Sequence, residues 1–218
     1  MCFSAEADAA MAVVIGAIAV DGLRHVREPS HLALASLPVV LAFHQLVEVF
    51  VWWGVEGRVA ESVFQAAVYT YLVIAFGLPL LVPRAVRAIE PRPDRQRLME
   101  RMGIVGAFVA VILLGGVFTG PVTAVDHGDH LSYEARLFHG GVLTAVYVVV
   151  TLGTFLASSH RLMVIYGAVN LVAVVVLAIT TITGFVSLWC AWAAVSSLVI
   201  VYHLRHSQAH ASATARMA

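Results

Sequence analysis

The residues in this 218-residue chain that are best suited to chemistry are a histidine and a glutamate one helical turn apart. His44 and Glu48 have i,i+4 spacing, which places both side chains on the same face of a helix. The run around them is apolar, and ionisable side chains inside a membrane helix are costly to bury and typically serve function. Three interpretations stay open: the pair binds a metal ion, relays a proton, or hydrogen-bonds neighbouring helices together.

A second polar group lies further along the chain, in Asp126-His127-Gly128-Asp129-His130, with His139 nine residues later. Imidazole and carboxylate groups are ligands for zinc, iron and copper, so His127, His130 and His139 are candidate metal ligands. Histidine also titrates near neutral pH, so the same residues could sense acidity, with Asp126 beside them. The spacing matches no standard zinc motif, and a solvated polar loop is the alternative.

The chain has two cysteines, Cys2 at its start and Cys190 in Trp189-Cys190-Ala191-Trp192. If both lie on the oxidising side of a membrane, they are candidates for a disulfide that would join the first helix to the last. Two packed thiols are the main alternative. A metal-ligating role for Cys2 is the third.

Composition indicates the environment in which these residues act. The chain is 61% hydrophobic and 12% charged, which is too apolar for a soluble domain. It contains no lysine and its net charge is zero, so a basic face for nucleic acid is excluded. The sequence predicts an all-α, multi-pass protein of the plasma membrane whose partner is the lipid bilayer, and a homo-oligomer is compatible with it.

Seven stretches have the length of about 20 residues that a transmembrane helix needs. Residues 1–205 are predicted to form one transmembrane domain, and residues 206–218 a short, flexible cytoplasmic tail. The acids within Met1 to Asp8 argue against a cleavable signal peptide. The predicted spans are 4–23, 33–54, 62–83, 103–125, 140–158, 162–183 and 185–204.

Arginine distribution predicts the orientation. With the N-terminus outside and the C-terminus cytoplasmic, eleven arginines fall on the cytoplasmic side, and only Arg58 and Arg136 fall outside. The polar residues would then form an exterior-facing site that also includes Glu6, Asp8 and Asp126. Seven spans are typical of rhodopsins, but a retinal Schiff base needs a lysine, so retinal is excluded. Haem is disfavoured because two opposed axial imidazoles at one depth are not evident.

Three segments resemble a known family: the start Met1-Cys2-Phe3-Ser4-Ala5, the run His44-Gln45-Leu46-Val47-Glu48, and Ser187-Leu188-Trp189-Cys190. They look like a broad, uncharacterised family of bacterial multi-spanning membrane proteins, a domain of unknown function. The resemblance covers nearly the full length and implies the fold and topology. It implies no activity.

A partial resemblance connects the chain to seven-span, zinc-dependent membrane hydrolases, the class of alkaline ceramidases and progestin/adiponectin-type receptors. Ser36 and His44 on span two and His203 on span seven carry it. It implies zinc-dependent hydrolysis near the cytoplasmic side. The chain departs from the pattern because the last span lacks the paired H-x-x-x-H.

These observations favour a seven-helix integral membrane protein of unknown activity, with an exterior-facing polar site for which a divalent transition metal, zinc first, is a candidate ligand. One alternative is a proton- or small-ligand-coupled receptor or transporter that uses His44 and Glu48. Another is a metal-dependent hydrolase, with a metal-bound water as nucleophile and Glu48 or Asp126 as general base. A structural module that scaffolds a partner is also compatible. No nucleophile, base and oxyanion set can be assembled from the sequence, which favours a protein that is not an enzyme.

Overall fold

The computed structural model describes residues 4–128, 130–135, 140–180 and 185–205. Within these ranges the chain forms seven helices and one two-stranded antiparallel hairpin. The elements are α1 (Ala5–Arg24), α2 (Pro29–Val55), α3 (Glu61–Ile89), α4 (Pro93–Thr119), β1 (Val122–Asp126), β2 (Leu131–Ala135), α5 (Gly140–Leu156), α6 (Arg161–Thr180) and α7 (Phe185–Ser196).

Five of the described helices are long and apolar enough to cross a membrane. They are α2, α3, α4, α6 and the segment Ser187–Arg205, which continues α7 past a turn at Ser197. Of the other two, α1 carries Glu6, Asp8 and Asp21, and α5 is only 17 residues long. The structure therefore supports a helical membrane protein with five helices of spanning length in its described part.

The fourth predicted span, 103–125, differs from the observed helix. Helix α4 begins at Pro93 and ends at Thr119, because Gly120 is extended and Pro121 has no N–H with which to continue a helix. Strand β1 follows and pairs with β2 around a turn at Gly128, whose φ of 87° suits glycine. The predicted end of this span at residue 125 is therefore wrong, and the polar segment lies in a β-hairpin.

Short connections make consecutive helices antiparallel, so the bundle has two ends. The hairpin end holds the β-hairpin and the connection 56–60 between α2 and α3. The arginine end holds the connections 25–28, 90–92 and 157–160. Arginines at or near this end include Arg24, Arg27, Arg84, Arg87, Arg92, Arg95, Arg161 and Arg205.

Two main hydrophobic clusters hold the bundle together. At the hairpin end, buried side chains of α2 and α3 pack with Leu131 of β2, which fixes the hairpin over this end. At the arginine end, buried side chains of α2 to α6 and of the segment that continues α7 form the second cluster, with Met99 and Met163 fully buried. The hairpin cluster positions the polar residues described below.

Helices α3 and α4 approach most closely at Gly106, where a Cβ atom would overlap the carbonyl oxygen of Pro79. We expect Gly106→Ala to lower the free energy of unfolding by about 1–3 kcal/mol, because the backbone must move apart. Gly115→Ala in the same helix is the control, since its Cβ would meet no atom within 4 Å. Thermal unfolding in detergent checks this; equal melting temperatures for the two variants would refute the close approach.

The carboxylate of Glu90 joins two connections at the arginine end. It accepts hydrogen bonds from the Ser159 hydroxyl at 2.5 Å, the Ser159 amide at 2.7 Å and the Ser158 hydroxyl at 3.3 Å. Arg95 reinforces the junction by donating to the carbonyl oxygens of Ala157 and Ser158 at 2.9 and 2.6 Å. Burial raises the pKa of Glu90, but the hydrogen bonds that its carboxylate accepts from Ser159, the Arg92 amide and Ser158 outweigh this effect. They hold the pKa below its ordinary value of 4.5.

A lowered pKa means that ionised Glu90 stabilises the fold above the unfolded-state pKa, and that this contribution is lost as the pH falls through the folded-state pKa. We expect Glu90→Gln to cost about 1.5–3 kcal/mol at neutral pH, the range for hydrogen bonds to a charged group. We expect the native protein to lose stability as the pH falls below 4.5, and Glu90→Gln should weaken that loss.

Unfolding at several pH values checks this prediction. Glu100→Gln is the control, because its ion pair with Arg87 at 3.5 Å is exposed and contributes little. Identical pH profiles for the native protein and Glu90→Gln would contradict the role of Glu90.

Candidate functional site

Glu48 of α2 lies at the centre of a buried polar site at the hairpin end, with its side chain fully buried. Its Oε1 accepts a hydrogen bond from the Tyr133 hydroxyl at 3.2 Å, and its Oε2 accepts one from Gln45 Nε2 at 3.0 Å. The Ser187 hydroxyl of α7 also lies within hydrogen-bonding range of the carboxylate. Helix α2, strand β2 and helix α7 therefore meet at one carboxyl group.

Asp8 of α1 supplies a second buried carboxyl group to the same site. It is 1% exposed, and its Oδ2 accepts a hydrogen bond from Trp52 Nε1 at 2.9 Å. Trp52 lies one turn beyond Glu48 on α2, and the two carboxyls are close enough for their charges to interact. Within the described residues, no arginine or histidine forms an ion pair with Asp8 or Glu48.

His44 is buried one turn before Glu48, as the spacing predicts. Its ring stacks on Tyr71 with 3.8 Å between centroids, and its Nε2 lies 3.0 Å from the Tyr71 carbonyl oxygen. A carbonyl only accepts, so Nε2 carries the proton and Nδ1 is an acceptor in the neutral ring. Among the described contacts Nδ1 has no hydrogen-bond partner, and no hydrogen bond joins His44 directly to Glu48.

Three aromatic rings form a continuous stack beside the carboxyl groups. Tyr71 of α3 lies between His44 and Tyr133, and the two tyrosine rings are 4.2 Å apart and nearly parallel. Burial, followed by the negative charge of Glu48, raises the pKa of Tyr133 well above its ordinary value. Tyr133 therefore remains a hydrogen-bond donor to Glu48 at neutral pH.

Three buried polar atoms of this site lack a geometrically well-formed hydrogen bond in the described structure: His44 Nδ1, Gln45 Oε1 and the Tyr71 hydroxyl. Buried polar atoms are costly without partners, and the exceptions commonly mark a functional position or a place for water or an ion. Two of the three are acceptors, so the site is ready to receive a hydrogen-bond donor or a cation.

The hairpin residues predicted as candidate metal ligands, and Asp126 beside them, make contacts within the turn. The Asp126 carboxylate accepts from the Gly128 amide at 2.6 Å, and His127 Nε2 lies 2.9 Å from the Ser132 hydroxyl. The rings of His127 and His130 stack with 5.0 Å between centroids. His139 lies outside the described residues. In the described part of the chain, no three His, Cys, Asp or Glu side chains converge as metal ligands.

The remaining predicted residues have different surroundings. Glu6 is exposed in the first turn of α1. Cys190 is a buried free thiol, so the structure does not support the predicted disulfide; its partner Cys2 lies outside the described residues. His203 packs against His160 at the arginine end, whereas His44 packs against Tyr71.

Sequence analysis missed Tyr133 as a partner of Glu48. A signal for it exists: Gly120-Pro121 ends the helix, and the Asp126 to Gly128 turn separates the β-branched run 122–125 from the alternating apolar and polar residues 131–134. A hairpin predicted from this pattern would bring Tyr133 back towards the bundle. Tyr71, which lies in an apolar predicted span, faces His44 in the structure.

Comparison with known proteins gives one match. Residues 1–216 match a family of unknown function (DUF6629). No curated protein and no solved structure matches the chain. The resemblance of the chain to an uncharacterised family is thereby confirmed, and the chain belongs to the family of unknown function DUF6629.

Proposed function

We propose that this protein is a proton-coupled membrane receptor or transporter in which the Asp8–Glu48 pair takes up and releases a proton. One observation carries the proposal: two interacting carboxyl groups are buried together, and no described cation pairs with either of them. Intramembrane acids arranged in this way are typical of proton relays.

Elementary electrostatics favours proton binding at such a pair. An ionised carboxylate loses its hydration on burial, and a second carboxylate nearby adds repulsion in a medium of low dielectric constant. The donors around the pair are neutral groups of Trp52, Gln45, Tyr133 and Ser187, which can stabilise one negative charge. One proton shared by the pair removes the repulsion, so proton binding and release are coupled to the packing of the site.

His44 and the hairpin extend this proton site. The Nδ1 atom of His44 is a buried acceptor one turn from Glu48, which suits it to exchange a proton with a bound water or ligand. Tyr133 is only partly buried and bonds directly to Glu48. Displacing the hairpin strand would therefore break a hydrogen bond to the carboxylate and open the site towards the hairpin end.

Infrared spectroscopy of the purified protein tests the proposal, because a protonated carboxyl group has a C=O band that a carboxylate lacks. We expect a buried carboxyl band that changes with pH in the native protein and is lost or strongly altered in Glu48→Gln. Glu61→Gln is the control, since Glu61 is exposed and bonds only to Gln65 at 2.9 Å in the described contacts. A band that Glu48→Gln leaves unchanged would overturn the proposal.

The proposal also includes an orientation of the protein in the membrane. We place all seven helices across the plasma membrane with the hairpin end outside, because the arginines gather at the opposite end. Proton exchange at Glu48 would then take place with the exterior. A C-terminal reporter that is active in the cytoplasm supports this orientation, and activity on the outer side contradicts it.

Metal binding is the second candidate, favoured by His44 Nδ1 and Gln45 Oε1, two acceptors without described partners beside Glu48. An imidazole and a carboxylate on one helical face can supply two ligands to zinc, iron or copper. Elemental analysis of the native protein and a His44→Ala, Glu48→Ala double variant tests this. Stoichiometric metal that the double variant loses would support it, and a native protein purified without metal would contradict it.

A further inference from the structure

A partly open cavity lies between the helices next to the proton site. It is bounded by α2, α3, α5, α6 and α7 and has a volume of about 50 Å³. A water molecule needs roughly 10–15 Å³ measured in this way, so the cavity has space for about three or four. Its walls are mainly aliphatic and aromatic, but Thr151, Tyr166, Asn170, Trp189 and Cys190 are also among the lining residues.

Trp189, one of the residues that line this cavity, has an indole N–H that needs a hydrogen-bond acceptor. The atom is buried and has no hydrogen-bond partner in the described structure, although the indole N–H can only donate. Asn170 adds polar capacity, since its Oδ1 accepts one bond from the Ser196 hydroxyl at 3.3 Å and has a second lone pair. A water molecule can accept from Trp189 and donate onward, which an apolar occupant cannot do.

Cys190 connects the cavity to the proton site. It lines the cavity, and its thiol lies near the Tyr71 hydroxyl, which has no hydrogen-bond partner in the described structure. The same hydroxyl also lies near the Glu48 carboxyl group. A carboxyl, a phenol and a thiol therefore follow one another from the site to the cavity wall.

The opposite wall of the cavity approaches the arginine end. Ile200 lines the cavity, and His203 follows it by three residues, about one helical turn. The His203 ring packs against His160, which lies in the connection between α5 and α6. Titratable groups thus lie beyond both walls of the cavity.

We propose that this cavity holds a short water chain that carries protons from Glu48 towards His203, so that the protein conducts protons across the membrane. The inference rests on the proposed function, because Glu48 supplies the proton. In each hop one bond to hydrogen breaks and one forms, so no oxidant or other co-reactant is required. The Tyr71 hydroxyl and the Cys190 thiol mark the entry, and the Trp189 N–H anchors the water.

Proton flux into vesicles that contain the full chain tests the proposal, with an imposed potential as driving force and a pH dye inside. Ala193→Leu fills the cavity, and Trp189→Phe keeps a ring but removes the indole N–H. We expect each variant to reduce the flux at least tenfold, which is about 1.4 kcal/mol in barrier. Val195→Leu is the control, because its side chain lies on the same helix but is exposed, and it should conduct like the native protein.

The infrared carboxyl band of Glu48, recorded on the same samples, separates the two proposals. A native protein whose Glu48 band titrates but which conducts no protons would overturn the water chain and leave the proposed function intact. Variants that conduct at the native rate would also overturn it. A band that never depends on Glu48 would overturn the proposed function itself.

Discussion

Glu48→Ala is expected to lower the free energy of unfolding by about 3 kcal/mol or more. The substitution removes the acceptor for the Tyr133 hydroxyl, the Gln45 amide and the Ser187 hydroxyl, all at a site buried from water. Each buried donor left without a partner costs about 1–3 kcal/mol, and the loss of the costly buried carboxyl offsets part of the total. Denaturant unfolding in detergent measures the change.

Glu48→Gln is the matched variant, because glutamine has nearly the same shape and keeps one acceptor oxygen. We expect it to cost about 1 kcal/mol, clearly less than Glu48→Ala, while removing the titrating group. Glu61→Ala on the exposed start of α3 should change stability by no more than about 0.5 kcal/mol. A Glu48→Ala protein as stable as the native one would show that Glu48 does not organise the site.

Tyr71→Ala is expected to have the largest effect on stability, about 3–5 kcal/mol, the range for truncating a buried aromatic ring. Tyr71 is fully buried, and its ring lies between those of His44 and Tyr133. Truncation would leave a cavity between α2, α3 and the hairpin, and it would remove both stacking contacts. Thermal and denaturant unfolding check the loss.

Two variants distinguish the contribution of the Tyr71 ring from that of its hydroxyl and from that of a tyrosine ring elsewhere on α3. Tyr71→Phe keeps the stack and removes only a hydroxyl with no well-formed hydrogen bond, so we expect less than about 1.5 kcal/mol. Tyr69→Ala removes a partly exposed ring that stacks on Phe118, and it should cost less than Tyr71→Ala. If Tyr69→Ala and Tyr71→Ala lowered the free energy of unfolding equally, the three-ring stack would contribute no more to stability than an ordinary ring contact.

The helical part of this fold follows from the sequence because apolar length and helical period are local properties. The spacing of His44 and Glu48 predicted a shared helical face, and both side chains are buried on α2. Apolar length and helical period do not predict which residues these side chains contact. Tyr133 reaches Glu48 across 85 positions of sequence, and Trp52 reaches Asp8 across 44. Contacts of this kind depend on how the helices pack, which periodicity does not encode.

The hairpin was missed for a related reason. Residues 122–125 of β1 are as apolar as the residues of a transmembrane helix. Hydropathy alone therefore predicted a span that continues past Gly120 and Pro121. The histidines and aspartates of this segment suggested a metal site, which stays a prediction, and the structure shows that Asp126 caps the turn and that His127 contacts Ser132. Local turn chemistry was the stronger signal at these positions.

The central claim is that Glu48 exchanges protons from the hairpin end. The most direct test applies a rapid pH jump to one side of sealed vesicles of known orientation, while time-resolved infrared spectroscopy follows the carboxyl band that Glu48→Gln removes. The account predicts a fast response when the jump reaches the hairpin end and a slower one, delayed by passage through the bundle, when it reaches the arginine end. A carboxyl band that responds to neither jump, or first to the jump at the arginine end, would contradict it.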